Sequence, residues 1–435
     1  MSDLLVRKAE GGFEGTMQAP PAKYYTHRGF IFASLADGKT QVLNTSPAGD
    51  NMSTVRALKL LGTRVERIED LGNAYEVTGG PYHTPDDVLN VGNSGTTISF
   101  VLGLASRAPG ASVFTGDASL RSRPMGPLLE AMNDWGVPCW STRGNGRLPI
   151  VVEHHKDLKP VVEVSGFISQ YVSSPIIMAP FAGKDVTVRV RDKVNEPTYV
   201  GLTIHTMRMF GVEVIPAEDY QSFTIPAGQT FQPTIFEVPG DFALAAYGLA
   251  VAALTGSCLT YTNLDIDSVQ PEKGFINFLQ AMGADLVIDA QARTVAIDGS
   301  KRLQGIEWDG NDTPDMIPLM AVLCALAEGK SRIYNVEQVR YKESDRISQM
   351  LQLNKMGARV TEFRDGLEFE GVERLQGARM LSEGDHRLAM GWVVAGLMAE
   401  GETIVTEAQV ASISYPDFLK DMQRLGMDIQ VVGEM

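Results

Sequence analysis

Two hydrophobic patterns alternate along the chain. The first is an amphipathic segment, a glycine and then a strand-like stretch, as in ALKLLGTRVE and TMRMFGVEVI. The second is apolar on nearly all sides and rich in small residues, followed by a turn and a strand, as in ALAAYGLAVAALTGSCLTYTN. A helix that is apolar on most sides is buried, and a glycine after a helix supplies a left-handed cap. Each pattern therefore predicts a helix and the strand that follows it.

The unit of helix, strand, helix and strand occurs six times. Glycines end the amphipathic segments at intervals of about 70 to 75 residues, which is longer than the usual solenoid repeat. They are Gly62, Gly136, Gly211, Gly283, Gly357 and Gly426. Because units of this size favour closed domains over a solenoid, the simplest partition is two α/β domains of three units each.

Two proline-containing breaks mark the domain borders. They are QAPPAKYY at residues 18–25 and FEVPGDFA at residues 236–243. We therefore predict a second domain at 23–237, inserted into a first domain made of 1–22 plus 238–435. The two crossings would act as a hinge, and an active site is expected in the cleft, where small molecules usually bind between domains.

Charge and composition narrow the class of partner. The 435 residues are 44% hydrophobic with a net charge of −15, which disfavours nucleic acid as a partner. An anionic small molecule would need a local concentration of Arg and Lys. No stretch reaches 18 apolar residues and no signal-peptide core is present, so we expect no membrane partner and a cytoplasmic location. The three cysteines have no metal-binding spacing.

Five segments provide that local concentration of basic and polar groups. VGNSGTT, residues 91–97, reads as a loop of backbone N–H groups that opens onto a helix start, which is a place to hold an anion. Similar starts follow PPAKYYTHR, FISQYVSSP, VRYKESDR and GDHRLAM, and TGDASLRSRP adds two arginines. Any one cation alone is typical of a solvated surface. Several helix starts converging with Arg side chains would form a site for carboxylate or phosphate.

Two carboxylates and one histidine allow two interpretations each. Asp315 precedes a buried helix, so it is either a helix cap or a general base held charged by cations. Glu343 lies in KESDR, which alone is typical of an exposed charged helix face. His386 alone is more typical of a structural histidine than of a catalyst.

The motifs together resemble the enolpyruvyl transferases. GNSGTT, TGDASLRSRPMGPL, SQYVSSPIIMAPFA, KESDRI and DHRLAM stand in the order found in the 5-enolpyruvylshikimate-3-phosphate synthase family, over nearly the whole chain. UDP-N-acetylglucosamine enolpyruvyl transferases fit less well, because TGDASLRSR has no cysteine. The resemblance implies two domains of three βαβαββ units, an inside-out α/β barrel fold, that close on ligand. It also implies addition of an acceptor hydroxyl to C2 of phosphoenolpyruvate and loss of phosphate, with no metal or organic cofactor. We expect a monomer.

The resemblance also assigns roles by position. The catalytic set is Lys23, Asp315, Glu343 and His386, in which Asp315 takes the acceptor proton and Lys23 or Glu343 protonates C3. The set that binds phosphoenolpyruvate is Lys23, Gly95, Arg123, Gln170, Arg346 and Arg387. The set that binds the acceptor is Tyr24, Arg28, Ser169, Gln170, Asn195, Asp315, Gln338 and Lys342.

Departures from the family pattern concentrate on the acceptor set. The positions where the family has other polar residues carry Tyr24, Ile168, Asn195 and Gln338, while Ile413 replaces a lysine expected near the phosphoenolpyruvate phosphate. Three hypotheses follow: transfer to shikimate 3-phosphate, the same chemistry on a different cyclitol, sugar or nucleotide, or a relative that binds anions without turnover. The sequence leaves the acceptor open.

Overall fold

The computed structural model describes residues 2–9 and 11–433. The chain divides into two compact units, which we call unit 1 (Met1–Pro20 and Pro239–Met435) and unit 2 (Pro21–Val238). The chain therefore leaves unit 1 once and returns to it once. The borders predicted from sequence lay at residues 22–23 and 237–238.

Helices account for both hydrophobic patterns. In chain order they are α1 (Lys23–Leu35), α2 (Gly49–Leu60), α3 (Gly95–Ala105), α4 (Gly126–Trp135), α5 (Ser169–Met178), α6 (Pro197–Met209), α7 (Phe242–Thr255), α8 (Gly274–Ala281), α9 (Ile317–Leu326), α10 (Arg346–Met350), α11 (His386–Leu397) and α12 (Phe418–Arg424). None of the helices in the described part of the chain is both long enough and apolar enough to cross a membrane.

The strands are short. They are β1 (Asp3–Arg7), β2 (Glu14–Gln18), β3 (Lys39–Leu43), β4 (Arg64–Arg67), β5 (Tyr75–Thr78), β6 (Leu89–Asn90), β7 (Ser112–Thr115), β8 (Cys139–Ser141), β9 (Ile150–Val152), β10 (Val161–Val164), β11 (Val186–Val190), β12 (Ile215–Pro216), β13 (Ser222–Ile225), β14 (Ile235–Glu237), β15 (Cys258–Thr262), β16 (Asp285–Asp289), β17 (Thr294–Asp298), β18 (Glu307–Asp309), β19 (Lys330–Tyr334), β20 (Arg359–Phe363), β21 (Gly366–Glu370), β22 (Leu375–Gln376), β23 (Arg379–Met380), β24 (Ala399–Glu400), β25 (Glu402–Val405) and β26 (Ile429–Val432).

One four-stranded topology recurs through both units. In β6-β7-β9-β8, β6 runs parallel to β7, and β7–β9 and β9–β8 are antiparallel. Since α3 and α4 fall between the first three strands, the repeat is βαβαββ. The sheets with this topology in unit 2 are β14-β3-β5-β4, β6-β7-β9-β8 and β10-β11-β13-β12, and those in unit 1 are β16-β17-β15-β2, β18-β19-β21-β20 and β23-β25-β1-β26.

The first helix of each repeat forms the core of its unit. In unit 1, α7, α9 and α11 pack against one another, and in unit 2, α3 packs against α1 and α5. Each is buried along nearly its whole length, as the all-apolar pattern predicts. The six glycines that end the amphipathic segments all have positive φ, from 79° to 121°, so the predicted left-handed conformation is confirmed.

The helix–strand pattern in the sequence predicts only two of the four strands in every repeat. The strand before each buried helix is only two to five residues long, as in β6 and β23, and gives too few positions for an alternating pattern. The hairpin partner, such as β9, follows another strand and not a helix, so the helix–strand pattern does not indicate it. In unit 1 the N-terminal strands complete two of the sheets. β1 pairs with β25 and β26, and β2 pairs with β15.

Candidate active site

Lys23 is the first residue of α1 and is buried in unit 2. Its Nζ lies 3.2 Å from Oδ2 of Asp50 and 4.9 Å from the centre of the Tyr24 ring. The side chain of Asn51 donates to the Lys23 carbonyl at 2.9 Å, which ties α2 to the start of α1. A buried ammonium at a helix start is therefore held in a defined position.

The start of α3 is formed by the glycine-rich motif. Ser94 caps the helix by accepting from the Thr97 N–H at 3.2 Å. A Cβ placed on Gly95 would lie 3.1 Å from Nη1 of Arg123 and 3.6 Å from Oε1 of Gln170. The absent side chain thus leaves room where a guanidinium and an amide converge on free helix N–H groups, an arrangement suited to an anion.

Neighbours hold Arg123 and Gln170 at this position. Arg123 Nη2 donates to Oδ1 of Asn93 at 2.5 Å, and Asn93 donates to Asp117 at 2.6 Å. Gln170 Nε2 donates to the Thr96 hydroxyl at 3.0 Å. The amide of Gln170 therefore lies against the first turn of α3.

Arg28 is buried and links α1 to α6 within unit 2. Its Nε and Nη2 donate to the Thr203 hydroxyl at 3.1 and 2.8 Å, Nη2 also donates to the Tyr199 carbonyl at 3.2 Å, and Nη1 donates to the Tyr24 carbonyl at 3.1 Å. The Tyr24 and Tyr199 rings meet edge to face with centroids 5.0 Å apart. Arg28 thus fixes the backbone under both tyrosines.

Ser169 contacts a carboxylate that the sequence reasoning did not single out. Its hydroxyl donates to Oε2 of Glu196 at 2.6 Å. Glu196 is only 1% exposed and has φ 56°, a left-handed conformation that is uncommon for a residue other than glycine. Asn195 beside it donates to the Phe167 carbonyl at 3.1 Å. The signal for Glu196 was present in VNEPTY, where an acid directly precedes the proline that begins α6.

In unit 1, a fully buried guanidinium contacts three carboxylates. Arg346 Nη1 donates to Asp315 at 2.9 Å, Nη2 donates to Glu343 at 2.6 Å and to Asp385 at 3.2 Å, and Nε donates to Asp385 at 2.9 Å. Burial alone would lower the pKa of Arg346, but the carboxylates of Asp385, Glu343 and Asp315 reverse the sign and raise the pKa well above its ordinary value. Asp315 lies in the 3-10 turn Pro314–Met316 that leads into α9.

Two further cations approach Asp315. Nη2 of Arg387 lies 3.7 Å from Oδ2 of Asp315, and Nζ of Lys342 lies 4.0 Å from its Oδ1. Both distances are longer than a hydrogen bond, so the attraction is mainly between charges. Together with Arg346, these cations stabilise negative charge on Asp315.

Asp385 organises the start of α11. It is fully buried and caps the helix by accepting from the Arg387 N–H at 2.8 Å, and it also accepts from the Ser344 hydroxyl at 3.0 Å. The predicted role sets omitted Asp385, although the DHR motif contained it. A short polar residue directly before a buried helix is the signal for a cap.

The remaining predicted residues also lie in unit 1. His386 is the first residue of α11 and is buried. Gln338 is buried in the 3-10 helix Glu337–Tyr341 and donates to Oδ1 of Asn311 at 3.3 Å. Ile413 is half-buried at the end of the 3-10 helix Ala408–Ile413. Within residues 2–9 and 11–433, no group of three or more His, Cys, Asp or Glu side chains could hold a metal ion.

The predicted residues thus form two groups, one in each unit. Unit 2 brings together Gly95, Arg123 and Gln170, with Lys23, Tyr24 and Arg28 on neighbouring α1. Unit 1 brings together Asp315, Lys342, Glu343, Arg346 and Arg387.

Comparison with known proteins identifies the family of the chain. Residues 8–422 match the family model for EPSP synthase (3-phosphoshikimate 1-carboxyvinyltransferase). A 3-phosphoshikimate 1-carboxyvinyltransferase of Methanocaldococcus jannaschii is 38% identical over 98% of this chain and 99% of its own, and one of Acetivibrio thermocellus is 40% identical over the same shares. The structure of an EPSP synthase from Acinetobacter baumannii is similar with a TM-score of 0.83 at 26% identity, covering 100% of both chains.

The fold and these matches define an enolpyruvyl transferase. The chain belongs to the EPSP synthase family.

Proposed function

We propose that this protein transfers the enolpyruvyl group of phosphoenolpyruvate to a hydroxyl of shikimate 3-phosphate and releases phosphate. The observation that carries the proposal is the full-length similarity to relatives named 3-phosphoshikimate 1-carboxyvinyltransferase. The chemistry requires sites for two anions and groups that move protons, and the two clusters of buried charged residues supply candidates for each.

The phosphate of phosphoenolpyruvate would bind to unit 2. The helix N–H groups at Gly95, the Arg123 guanidinium and the Lys23 ammonium are the candidate donors. A fixed arginine and a helix start both favour a phosphate, and neither must reorganise during the reaction. The contact of Gln170 with the same helix turn supports its role beside the bound ligand.

The carboxylate of phosphoenolpyruvate would bind to Arg346 and Arg387 of unit 1. The residues proposed to bind the phosphate belong to unit 2, and those proposed to bind the carboxylate belong to unit 1. The proposal therefore requires both units to bind the same molecule. A carboxylate accepts two parallel hydrogen bonds from a guanidinium, which fixes the plane of the enol.

Proton transfer would involve Asp315 first. Asp315 takes the proton of the acceptor hydroxyl as its oxygen bonds to C2, while Lys23 or Glu343 gives a proton to C3. The tetrahedral intermediate then loses a proton from C3 as the C2–O bond to phosphate breaks. Each positioned proton-transfer group contributes about 10²–10⁴-fold in rate. We place His386 in this catalytic set because it begins α11 next to Arg387.

The acceptor would lie against Tyr24, Arg28, Ser169, Asn195, Gln338 and Lys342. One contact favours a second candidate function, the same transfer to a different acceptor. The Ser169 hydroxyl donates to the buried carboxylate of Glu196 at 2.6 Å. This carboxylate adds negative charge where an acceptor phosphate would need hydrogen-bond donors. Such an acceptor would be a cyclitol, sugar or nucleotide.

Phosphate release from phosphoenolpyruvate tests both candidates. Turnover with shikimate 3-phosphate at an ordinary enzymatic rate, abolished in Asp315→Asn, is the expected result and would exclude the second candidate. Turnover with only another hydroxylated acceptor would replace the first. Phosphoenolpyruvate binding without turnover across the acceptor panel would indicate a non-catalytic relative. We also propose a cytoplasmic monomer, which light scattering of the purified protein and fractionation of the source cells would test.

A further inference from the structure

A chain of buried hydrogen bonds joins α1 to the cap of α3. Nδ1 of His27 lies 2.7 Å from the Thr54 hydroxyl, which lies 2.7 Å from the Thr97 hydroxyl, which donates to Oγ of Ser94 at 2.7 Å. All four side chains are fully buried. The chain therefore runs without solvent from the helix that begins at Lys23 to the loop that precedes Gly95.

The direction of this chain follows from the number of hydrogens. Each hydroxyl has one hydrogen to donate. Because Thr97 donates to Ser94, it must accept from Thr54, and Thr54 must then accept from His27. His27 must therefore carry its hydrogen on Nδ1.

The charge state of His27 agrees with this assignment. Burial lowers its pKa well below the ordinary value, and the charges of Lys23 and Arg28 lower it further, so the ring is neutral at physiological pH. Its Nε2 is buried and has no hydrogen-bond partner among residues 2–9 and 11–433. A neutral ring with a bare Nε2 is the tautomer that the hydroxyl chain requires.

The chain ends at the proposed anion site. Ser94 accepts from both the backbone N–H and the hydroxyl of Thr97. Its oxygen is therefore held over the first turn of α3, where it caps the helix. Because Ser94 takes up the Thr97 N–H, the two N–H groups before it in the first turn remain for an anion.

We propose that His27 is a positioning residue that, through Thr54 and Thr97, holds the Ser94 cap and so fixes the direction of the first N–H groups of α3, which bind the phosphate of phosphoenolpyruvate. This inference rests on the proposed function, because it takes α3 as the phosphate site. His27 does not contact the substrate in this account. It fixes which way three hydroxyl groups point.

The first experiment breaks the chain in the middle. Thr54→Val keeps the shape of the side chain and removes the hydroxyl, whereas Thr54→Ser keeps the hydroxyl and is the matched control. Calorimetric titration of the full chain with phosphoenolpyruvate should show affinity lowered roughly 10-fold in Thr54→Val, since the cap that orients the phosphate-binding N–H groups is weakened, and nearly unchanged in Thr54→Ser. Inorganic phosphate should show the same order.

The second experiment observes the native protein directly. Nitrogen-15 NMR of histidine-labelled native protein should show His27 neutral at physiological pH, with hydrogen on Nδ1. His27→Asn identifies the signal by its loss.

The outcomes separate the two proposals. Equal affinities in folded Thr54→Val and Thr54→Ser, or hydrogen on Nε2 of His27, would overturn the positioning role alone. Phosphoenolpyruvate binding with the expected order but no turnover would leave the positioning role standing and overturn the proposed function. Failure of the native protein to bind either anion would overturn both.

Discussion

Asp385 should be among the costliest single positions in unit 1 to change. The proposed perturbation is Asp385→Asn, which keeps size and shape and removes one charge. All four contacts of the carboxylate are with donors: two from Arg346, one from the Ser344 hydroxyl and one from the Arg387 N–H. An asparagine has only one acceptor oxygen, so its NH2 group must face some of these donors.

The expected loss is about 3 kcal/mol in the free energy of unfolding. Removing one partner of a buried ion pair costs about 3–5 kcal/mol, because the other charge stays buried without it. Here Arg346 keeps Asp315 and Glu343, so a value at the low end is expected. The start of α11 is weakened at the same time, because Asp385 also caps that helix.

Hydrogen exchange measured by mass spectrometry can detect this loss of stability in α11. Amides of α11 should exchange faster by about 100-fold, which corresponds to about 3 kcal/mol in opening free energy. The matched control is Asp428→Asn, which also removes a carboxylate held at 3.0 Å by an arginine, Arg7, but at the surface. Surface pairs contribute little, so α11 should be unaffected there. If Asp385→Asn leaves α11 exchange within threefold of the native protein, the carboxylate does not hold this site together.

Three further outcomes are expected. Because the unfolded chain binds a proton at His27 that the native chain does not, stability should fall as pH drops below about 6.5, and His27→Asn should remove about 1.4 kcal/mol per pH unit of that slope in urea titrations. Gly95→Ala should raise the KM for phosphoenolpyruvate at unchanged Tm, because the new Cβ would lie 3.1 Å from Arg123. Ile413→Lys should lower the same KM, and more so at low salt, because it restores the lysine that the family resemblance implies for phosphate binding.

Each of these has its own control and its own contrary result. Gly201→Ala places a Cβ where only the Tyr220 hydroxyl is near, at 3.6 Å, so it should leave KM unchanged. If the free energy of unfolding falls equally steeply with decreasing pH in the native protein and in His27→Asn, then His27 has the same pKa in the folded and unfolded chain. Ile413→Gln adds polarity without charge, and an effect equal to that of Ile413→Lys would deny the electrostatic reason.

The repeat and the buried helices could be predicted because their signals are long. An all-apolar run such as α7 or α9 needs no context to be placed in a core, and a glycine after an amphipathic helix marks its end through its backbone freedom. The same reasoning could not give the short strand before each buried helix. Strands such as β6 exist because a parallel neighbour pairs with them, and the paired residues of β6 and β7 lie 25 positions apart.

The candidate site likewise contains residues that the sequence indicates and contacts that it does not. Cations at helix starts, such as Lys23 and Arg387, were visible because they stand against an acidic chain. Contacts that depend on packing were not: the Ser169–Glu196 bond joins positions 27 residues apart, and the threonines between His27 and Ser94 look like ordinary helix residues. A hydroxyl's partner is set by the fold and leaves no mark on composition or spacing.

The charge balance of unit 1 bears on which group protonates C3. Arg346 stabilises the negative charge of Glu343 through a 2.6 Å ion pair. Glu343 would therefore have to lose this ion pair before it could be protonated and act as a proton donor. Lys23 carries a proton as an ammonium ion and lies at the start of the helix next to the proposed phosphate site. If Asp315 takes the acceptor proton as proposed, the cluster around Arg346 would lose one negative charge and gain attraction for the anionic intermediate. Donation by Lys23 keeps that gain, whereas donation by Glu343 would return a negative charge to Arg346 and cancel it. We therefore infer that Lys23 is the better donor of the two.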